Sequence, residues 1–226
     1  MALPSRPDDR PIRRHDLIFV GPAGWRSLFA MRADLASDAF VLLWADKGWP
    51  LVGRRATPGE AQGVPLGLPL PPLAGKRRLS LLMQADDIVS AVPPPALKSA
   101  RGAAPLAWRP TLDALGELAS RHSVEAKLFG SLAWRALTGL DYVTDGSDLD
   151  LLLHVHPDTD IHGLTAELAA IEAAAPMRLD GELVRDDGAA VNWREFHAAA
   201  REVLVKTVGG VGLLDKSLFL SGEMLP

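Results

Sequence analysis

In the second half of the chain, apolar residues switch repeatedly between a spacing of three to four and a spacing of two, which predicts helices alternating with strands. Leu112, Leu115, Leu118 and Ala119 fall on one side of a helix expected over Thr111 to His122. A strand over Glu125 to Phe129 runs into Gly130-Ser131, a helix follows over Leu132 to Thr138, and Gly139 stops it. Asp148 to Val155 reads as a strand, Thr159 to Ala175 as an Ala- and Leu-rich helix, and Met177 to Val184 as another strand. Pro157 and Pro176 end the first two of these. Val191 to Thr207 reads as a helix, followed by a break at Gly209-Gly210. The order predicts an α/β (α+β) domain, a mixed sheet flanked by helices.

The first half has another rhythm. Leu17 to Val20 predicts a strand ending at Gly21-Pro22, and Leu28, Met31 and Leu35 are spaced as in a helix over Trp25 to Leu35. Ala39 to Ala45 and Pro50 to Arg54 read as two strands around Asp46-Lys47-Gly48, a hairpin. Thr57 to Gly75 is dense in proline and glycine and reads as mostly loop, before a strand over Arg78 to Gln84. Pro93-Pro94-Pro95 through Pro105 reads as a stiff linker, because repeated proline removes backbone donors. The domains expected are therefore a smaller β-containing one over 1–95, a linker over 96–108 and a larger one over 109–226.

Composition narrows the chemistry. A formal charge of -4 argues against a nucleic-acid binder, whose ligand rewards a basic face. The 48% hydrophobic content suits a chain with a proper core. There are no cysteines, so disulfides, thiolate nucleophiles and zinc-thiolate sites are excluded. Apolar runs are too short and interrupted to span a bilayer, and Met1 to Arg14 is not followed by a signal-type apolar region. A cytoplasmic protein, with no membrane partner, is the expectation.

The most informative chemistry is Phe129-Gly130-Ser131 followed by Ser147-Asp148-Leu149-Asp150-Leu151. A strand alternates its side chains, so Asp148 and Asp150 point one way while Leu149 and Leu151 point into the core. Two neighbouring carboxylates repel unless something positive neutralises them. A divalent cation carrying a phosphorylated ligand does so, since hard cations take oxygen ligands and bridge phosphates. Asp-x-Asp alone is a weak signal; the upstream Gly-Ser turn and a later acidic strand strengthen it. Other residues take blander readings. Trp134 and Trp193 suit packing between helix and sheet, Asn192 suits a helix cap, and Arg194 suits a salt bridge. His154 and His156 suit a strand end. The basic clusters Lys76-Arg77-Arg78 and Arg54-Arg55 suit a solvated edge, or a rim guiding an anionic ligand or an acidic partner.

A Gly-Ser turn opening a helix, Asp-x-Asp on the next strand and a third acid on a later strand resemble the polymerase-beta-like nucleotidyltransferases. Asp180, in Arg178-Leu179-Asp180-Gly181-Glu182, is the third acid, with Glu182 the alternative on the same strand face. Gly130-Ser131-Leu132-Ala133-Trp134, Thr138-Gly139-Leu140, Val191-Asn192-Trp193-Arg194-Glu195 and Val203-Leu204-Val205-Lys206 narrow the resemblance. With Arg14-His15-Asp16 near the start, the chain resembles the malonate decarboxylase holo-acyl-carrier-protein synthases, also called phosphoribosyl-dephospho-CoA transferases. The sixteen residues between Ser131 and Asp148 suit this narrower family.

The resemblance implies transfer of the phosphoribosyl-dephospho-CoA group of 2'-(5''-triphosphoribosyl)-3'-dephospho-CoA to a serine of the malonate decarboxylase acyl-carrier protein subunit, with release of pyrophosphate. It implies a nucleotidyltransferase-like C-terminal domain in which Asp148, Asp150 and Asp180 are catalytic and hold Mg2+, as two ions. Gly130 and Ser131 would hold the triphosphate, helped by Arg135 and Lys206. Two other functions stay open on the residues alone. One is a different metal-dependent nucleotidyltransferase moving a nucleoside monophosphate to a small alcohol or protein hydroxyl; the other is a non-catalytic binding relative.

Overall fold

The computed structural model describes residues 11–57, 60, 62–207 and 210–221. The chain divides into two compact units between Pro94 and Pro95. In the first, β1 (Leu17–Val20) leads to α1 (Pro22–Met31), the one-turn α2 (Ala33–Ala36) and α3 (Ala39–Lys47). Then follow β2 (Leu51–Gly53), β3 (Val64–Pro69), β4 (Arg78–Met83) and β5 (Ile88–Val92). The five strands form one sheet in the order β4-β3-β2-β1-β5, and every neighbouring pair is antiparallel.

Two expectations for this unit are corrected. The hairpin expected over Ala39 to Arg54 is a helix followed by a strand. Asp38 caps α3 by accepting hydrogen bonds from the N–H groups of Phe40 and Val41, at 2.9 and 3.3 Å. Gly48, at φ 60°, ends it in the left-handed region that glycine adopts without penalty. Val41 and Trp44, a helical step apart, are both fully buried. Thr57 to Gly75, expected as mostly loop, contains β3 with two of its prolines inside it. Gly67 pairs with Val52, which puts Pro65 level with Arg54 and Pro69 level with Pro50. Both lie level with residues just past the ends of three-residue β2, so neither stands opposite a residue of that strand, and Pro65 still accepts the Arg54 N–H at 3.2 Å.

The second unit begins with the stretch expected as a linker. Its short 3-10 turns, Leu97–Ala100 and Leu106–Trp108, bury Leu97, Ala100 and Trp108 in the main core. The Leu128 N–H donates to the Pro95 carbonyl at 2.8 Å, and Ala96 bridges Lys127. Proline here shapes a packed segment, not a free tether.

After it come α4 (Arg109–Arg121), β6 (Glu125–Leu128), α5 (Gly130–Thr138), β7 (Leu149–His154), α6 (Ile161–Ala174) and β8 (Leu179–Val184). The helix expected over Val191 to Thr207 is instead β9 (Ala190–Asn192), the short α7 (Trp193–His197) and β10 (Glu202–Lys206). Period two wins there: Val203 and Val205 are buried, while Leu204 between them is exposed. β11 (Val211–Asp215) pairs with β10 along its length, and α8 (Lys216–Ser221) follows.

These six strands lie in the order β11-β10-β9-β8-β7-β6. Only β7 and β8 run parallel, joined by α6; the other pairs are antiparallel. Leu149, Leu151 and Leu153 of β7, with Leu179 and Leu183 of β8, enter the main core beside Leu115, Leu164 and Phe196 of the helices. The alternate positions face the other way, where Leu152, Val184 and Ala190 form a small second cluster with Phe129. Asp150, Asp180 and Glu182 share the parity of that second face. The mixed α+β character expected from the sequence is what the structure has.

Candidate active site

The site is built where β6 turns into α5 beside the starts of β7 and β8. Phe129 is extended and its N–H donates to the Asp150 carbonyl at 3.2 Å, which ties the turn to β7. Gly130 then enters the left-handed region at φ 65°. A Cβ there would stand 1.8 Å from Oδ2 of Asp150 and 2.4 Å from its Cγ. Only glycine fits, both for its dihedral and because the Asp150 carboxylate occupies the space a side chain would need. The N-cap residue of α5, Phe129, offers no side-chain oxygen, so it cannot cap the first-turn N–H groups itself.

Asp150 and Asp180 are direct register partners across the parallel β7–β8 pair, so their side chains leave the same face side by side. Asp148 stands two residues ahead of Asp150, immediately before the first residue of β7. Among the described residues no three His, Asp or Glu side chains converge into a group that could hold a metal ion by themselves. The pair that strand register makes adjacent, Asp150 and Asp180, could share a hard cation whose other ligands come from elsewhere.

Asp180 has its own partner. Asn192, last residue of β9, donates from Nδ2 to Asp180 Oδ1 at 3.1 Å. Its Oδ1 accepts the Arg194 N–H at 2.9 Å, so the same amide caps α7. Around it the start of α7 is clamped to β8. Trp193 donates from Nε1 to the Leu179 carbonyl at 3.0 Å, and a Cβ on Gly181 would meet its ring at 2.9 Å. Glu172 accepts the Leu179 N–H at 2.8 Å and pairs with Arg194. The packing role expected of Trp193 and the salt bridge expected of Arg194 are both found.

The cations expected near a triphosphate differ in their freedom. Arg135, one turn into α5, has a loose contact of 3.8 Å with Asp141. Lys206 is committed: its Nζ lies 2.7 Å from Oε1 of Glu182, whose side chain is 6% exposed. That pairing sets Glu182 apart from Asp180, although the two share a strand face. Trp134 is buried, with its ring 6.5 Å from that of Tyr142, and burial pushes the Tyr142 hydroxyl above its ordinary range. β7 ends at His154, so His156 lies outside the strand.

The residue that sequence reasoning missed in its second role is Asn192. Its signal was available in principle: an asparagine two positions past a buried-strand pattern can cap with its oxygen and still donate. Reading Val191 to Thr207 as one helix hid the β8–β9 register that brings it to Asp180.

Comparison with known proteins adds the following. Residues 13–94 match the family described as the phosphoribosyl-dephospho-CoA transferase MdcG N-terminal domain, and residues 96–217 match the MdcG C-terminal domain. A phosphoribosyl-dephospho-CoA transferase of Bradyrhizobium diazoefficiens is 56% identical over 222 residues, 98% of each chain. One of Xanthomonas campestris pv. campestris is 39% identical over 86% of this chain and 95% of its own. One of Pseudomonas putida is 34% identical over 90% and 93% respectively. No solved structure gives a significant match.

Proposed function

Since the chain belongs to the phosphoribosyl-dephospho-CoA transferase family through both of its domains, we propose that it attaches the phosphoribosyl-dephospho-CoA group to a serine of the malonate decarboxylase acyl-carrier protein subunit. The donor in this reading is 2'-(5''-triphosphoribosyl)-3'-dephospho-CoA. The serine Oγ forms a bond to the phosphorus next to the ribose, the bond from that phosphorus to the departing diphosphate breaks, and the serine proton leaves to a base. Products are a phosphodiester on the carrier and pyrophosphate.

The observation that supports this reading is the pairing of Asp150, set against the side-chain-free Gly130 turn, with Asp180 in register beside it. A triphosphate brought to the N-terminus of α5 would meet backbone N–H groups of Gly130 and Ser131, which favour anions. Its phosphate oxygens would complete a coordination shell that the acids alone leave unfinished. Mg2+ suits such a shared shell, because it is held by one or two carboxylates plus substrate phosphates; two ions, with Asp148 as a further ligand, is the form proposed. Once bound it would neutralise charge on the phosphates and the leaving group. Asp180, with one oxygen held by Asn192, is the carboxylate that in this reading either helps hold the metal that activates the serine hydroxyl or accepts its proton directly. Arg135 is the cation proposed for the departing pyrophosphate, whereas Lys206, 2.7 Å from Glu182, is already engaged.

Mass spectrometry of the carrier subunit after incubation with protein, donor and Mg2+ tests the reading. The expected result is a mass increase equal to the phosphoribosyl-dephospho-CoA group, abolished by Asp150→Asn. An unmodified carrier with intact donor refutes it. Transfer of a nucleoside monophosphate from ATP to a small alcohol would assign the site to another nucleotidyltransferase.

A further inference from the structure

Capping alone does not explain an asparagine at position 192. Serine, aspartate and asparagine serve a helix N-cap about equally well, since each offers an oxygen to the N–H two or three residues on. They differ in what remains. Aspartate has no donor, and a serine hydroxyl beside an N-cap is too short to reach a second strand. Asparagine alone keeps an NH2 group after its oxygen is used. Here the oxygen accepts the Arg194 N–H at 2.9 Å, and that bond fixes which end of the amide faces Asp180. The NH2 end then meets Asp180 Oδ1 at 3.1 Å.

The geometry around this contact holds it still. Glu182 is the register partner of Asn192, so Asp180 lies one diagonal step away on the same face. Leu179, immediately before Asp180, is tied through its carbonyl to Trp193 and through its N–H to Glu172. Gly181, immediately after it, lies against the Trp193 ring. Asp180 therefore sits on a backbone clamped on both sides, and Asn192 removes the remaining freedom, rotation of the carboxylate. With Oδ1 engaged, Oδ2 is the oxygen left for the reaction.

We infer that Asn192 is a positioning residue for Asp180: it fixes the carboxylate so that one oxygen stays directed at the transferring group, while the same amide anchors α7. The inference rests on the reading above, in which Asp180 takes part in the transfer.

Asn192→Ser keeps the cap and drops the donor. It should melt within about 2 °C of the parent, lower kcat about 10- to 100-fold and leave the donor KM within about threefold, the scale expected when a reacting group is misplaced by a fraction of an ångström to 1 Å. Asn192→Asp, which also caps, should be slower than Asn192→Ser because it puts a second negative charge against Asp180. A residue that only caps would rank the two alike. The decisive comparison is a double-mutant cycle with Asp180→Asn. If Asn192 acts through Asp180, Asn192→Ser should have no further effect on the residual rate of Asp180→Asn. Should Asp180→Asn abolish transfer while Asn192→Ser keeps the full rate, or should the Asn192→Ser defect persist undiminished without the Asp180 carboxylate, the inference is overturned. Full activity in Asp180→Asn would instead overturn the underlying reading. If Asn192→Ser unfolds, Asn192→Thr, a second hydroxyl cap without the amide donor, carries the same comparison.

Discussion

Gly130→Ala is the sharpest test of how the site is built. Two costs separate cleanly. An alanine held at φ 65° suffers the left-handed penalty of about 1–2 kcal/mol. Its Cβ would also stand 1.8 Å from Asp150 Oδ2, where ordinary contact begins at 3.4 Å, so the carboxylate must retreat by roughly 1.6 Å. Forcing Asp150 off its rotamer adds about 0.5–1.5 kcal/mol. The total, about 1.5–3.5 kcal/mol, lowers Tm by about 3–14 °C for a chain of this size. Catalysis should suffer more than folding: a reacting group misplaced by about 1 Å loses about 100-fold, so transfer should fall by at least that factor. Gly139→Ala supplies the control. Gly139 has a similar dihedral, φ 74°, with nothing within 4 Å of its hypothetical Cβ. It should show the backbone penalty without the catalytic one. Thermal melting and carrier mass shift, read on both variants, decide the matter. If Gly130→Ala loses no more transfer than Gly139→Ala, the contact between the turn and Asp150 is not part of the machinery.

Other consequences follow from residues whose partners are now known. Lys206→Met takes the ammonium away from the buried Glu182 carboxylate, so urea unfolding should show a loss of about 3 kcal/mol, with the double change Lys206→Met/Glu182→Met costing less than the sum of the two single changes; additive costs would mean the pair is not coupled. Lys76→Ala/Arg78→Ala should weaken carrier binding several-fold at low salt and little at 1 M, where the Debye length is about 3 Å. Arg77 is left in place there because it pairs with Asp38, the cap of α3, at 2.6 Å; a salt-independent result would return the cluster to plain surface. The Arg54 guanidinium, with help from the Thr57 N–H, holds the Glu60 carboxyl down from 4.5 to about 2. Because the folded value lies below the unfolded one, the stability this pair supplies is complete above about pH 4.5 and is lost as pH falls towards 2. Denaturation curves across that window should flatten in Glu60→Gln, and an unchanged pH slope would sever the pair from acid sensitivity.

What could be read from the sequence was whatever one local rule decides. The helix at Arg109–Arg121 carries a single dominant period, and the strands at Leu17–Val20 and Leu149–His154 are short apolar runs closed by Gly21-Pro22 and Pro157, so all three lie within two residues of expectation. Errors came where two rules met. Ala39–Lys47 is so uniformly apolar that neither period shows, and only its ends, Asp38 and Gly48, distinguish helix from strand. β3 holds two prolines, which argue for loop until the register shows that both sit level with residues just outside its neighbour β2. The run after Asn192 combines alanines that favour helix with Val203 and Val205, and the pairing with β11 settles the conflict in favour of strand.

The site divides along the same line. Parity along one strand nominates Asp148 and Asp150 beside the Gly-Ser turn, and the resemblance adds Asp180 as the third acid. Their adjacency depends on something no local pattern encodes, the parallel register that sets Asp150 opposite Asp180 across the α6 crossover. Charge is harder still. A lysine on an edge-near strand reads as a free cation for a phosphate, yet Lys206 meets Glu182 across 24 positions of sequence, and the meeting changes both assignments. A buried carboxylate on this face must be answered by a nearby donor or cation, because unpaired burial of that charge costs several kcal/mol. Two acids on β8 therefore need two different answers. Glu182 is paired with the Lys206 ammonium, whereas Asp180 accepts from the neutral amide of Asn192. In the proposed reading, that difference in partner, more than the identity of the acid, is what assigns the chemistry to Asp180 and leaves Glu182 to hold the sheet together.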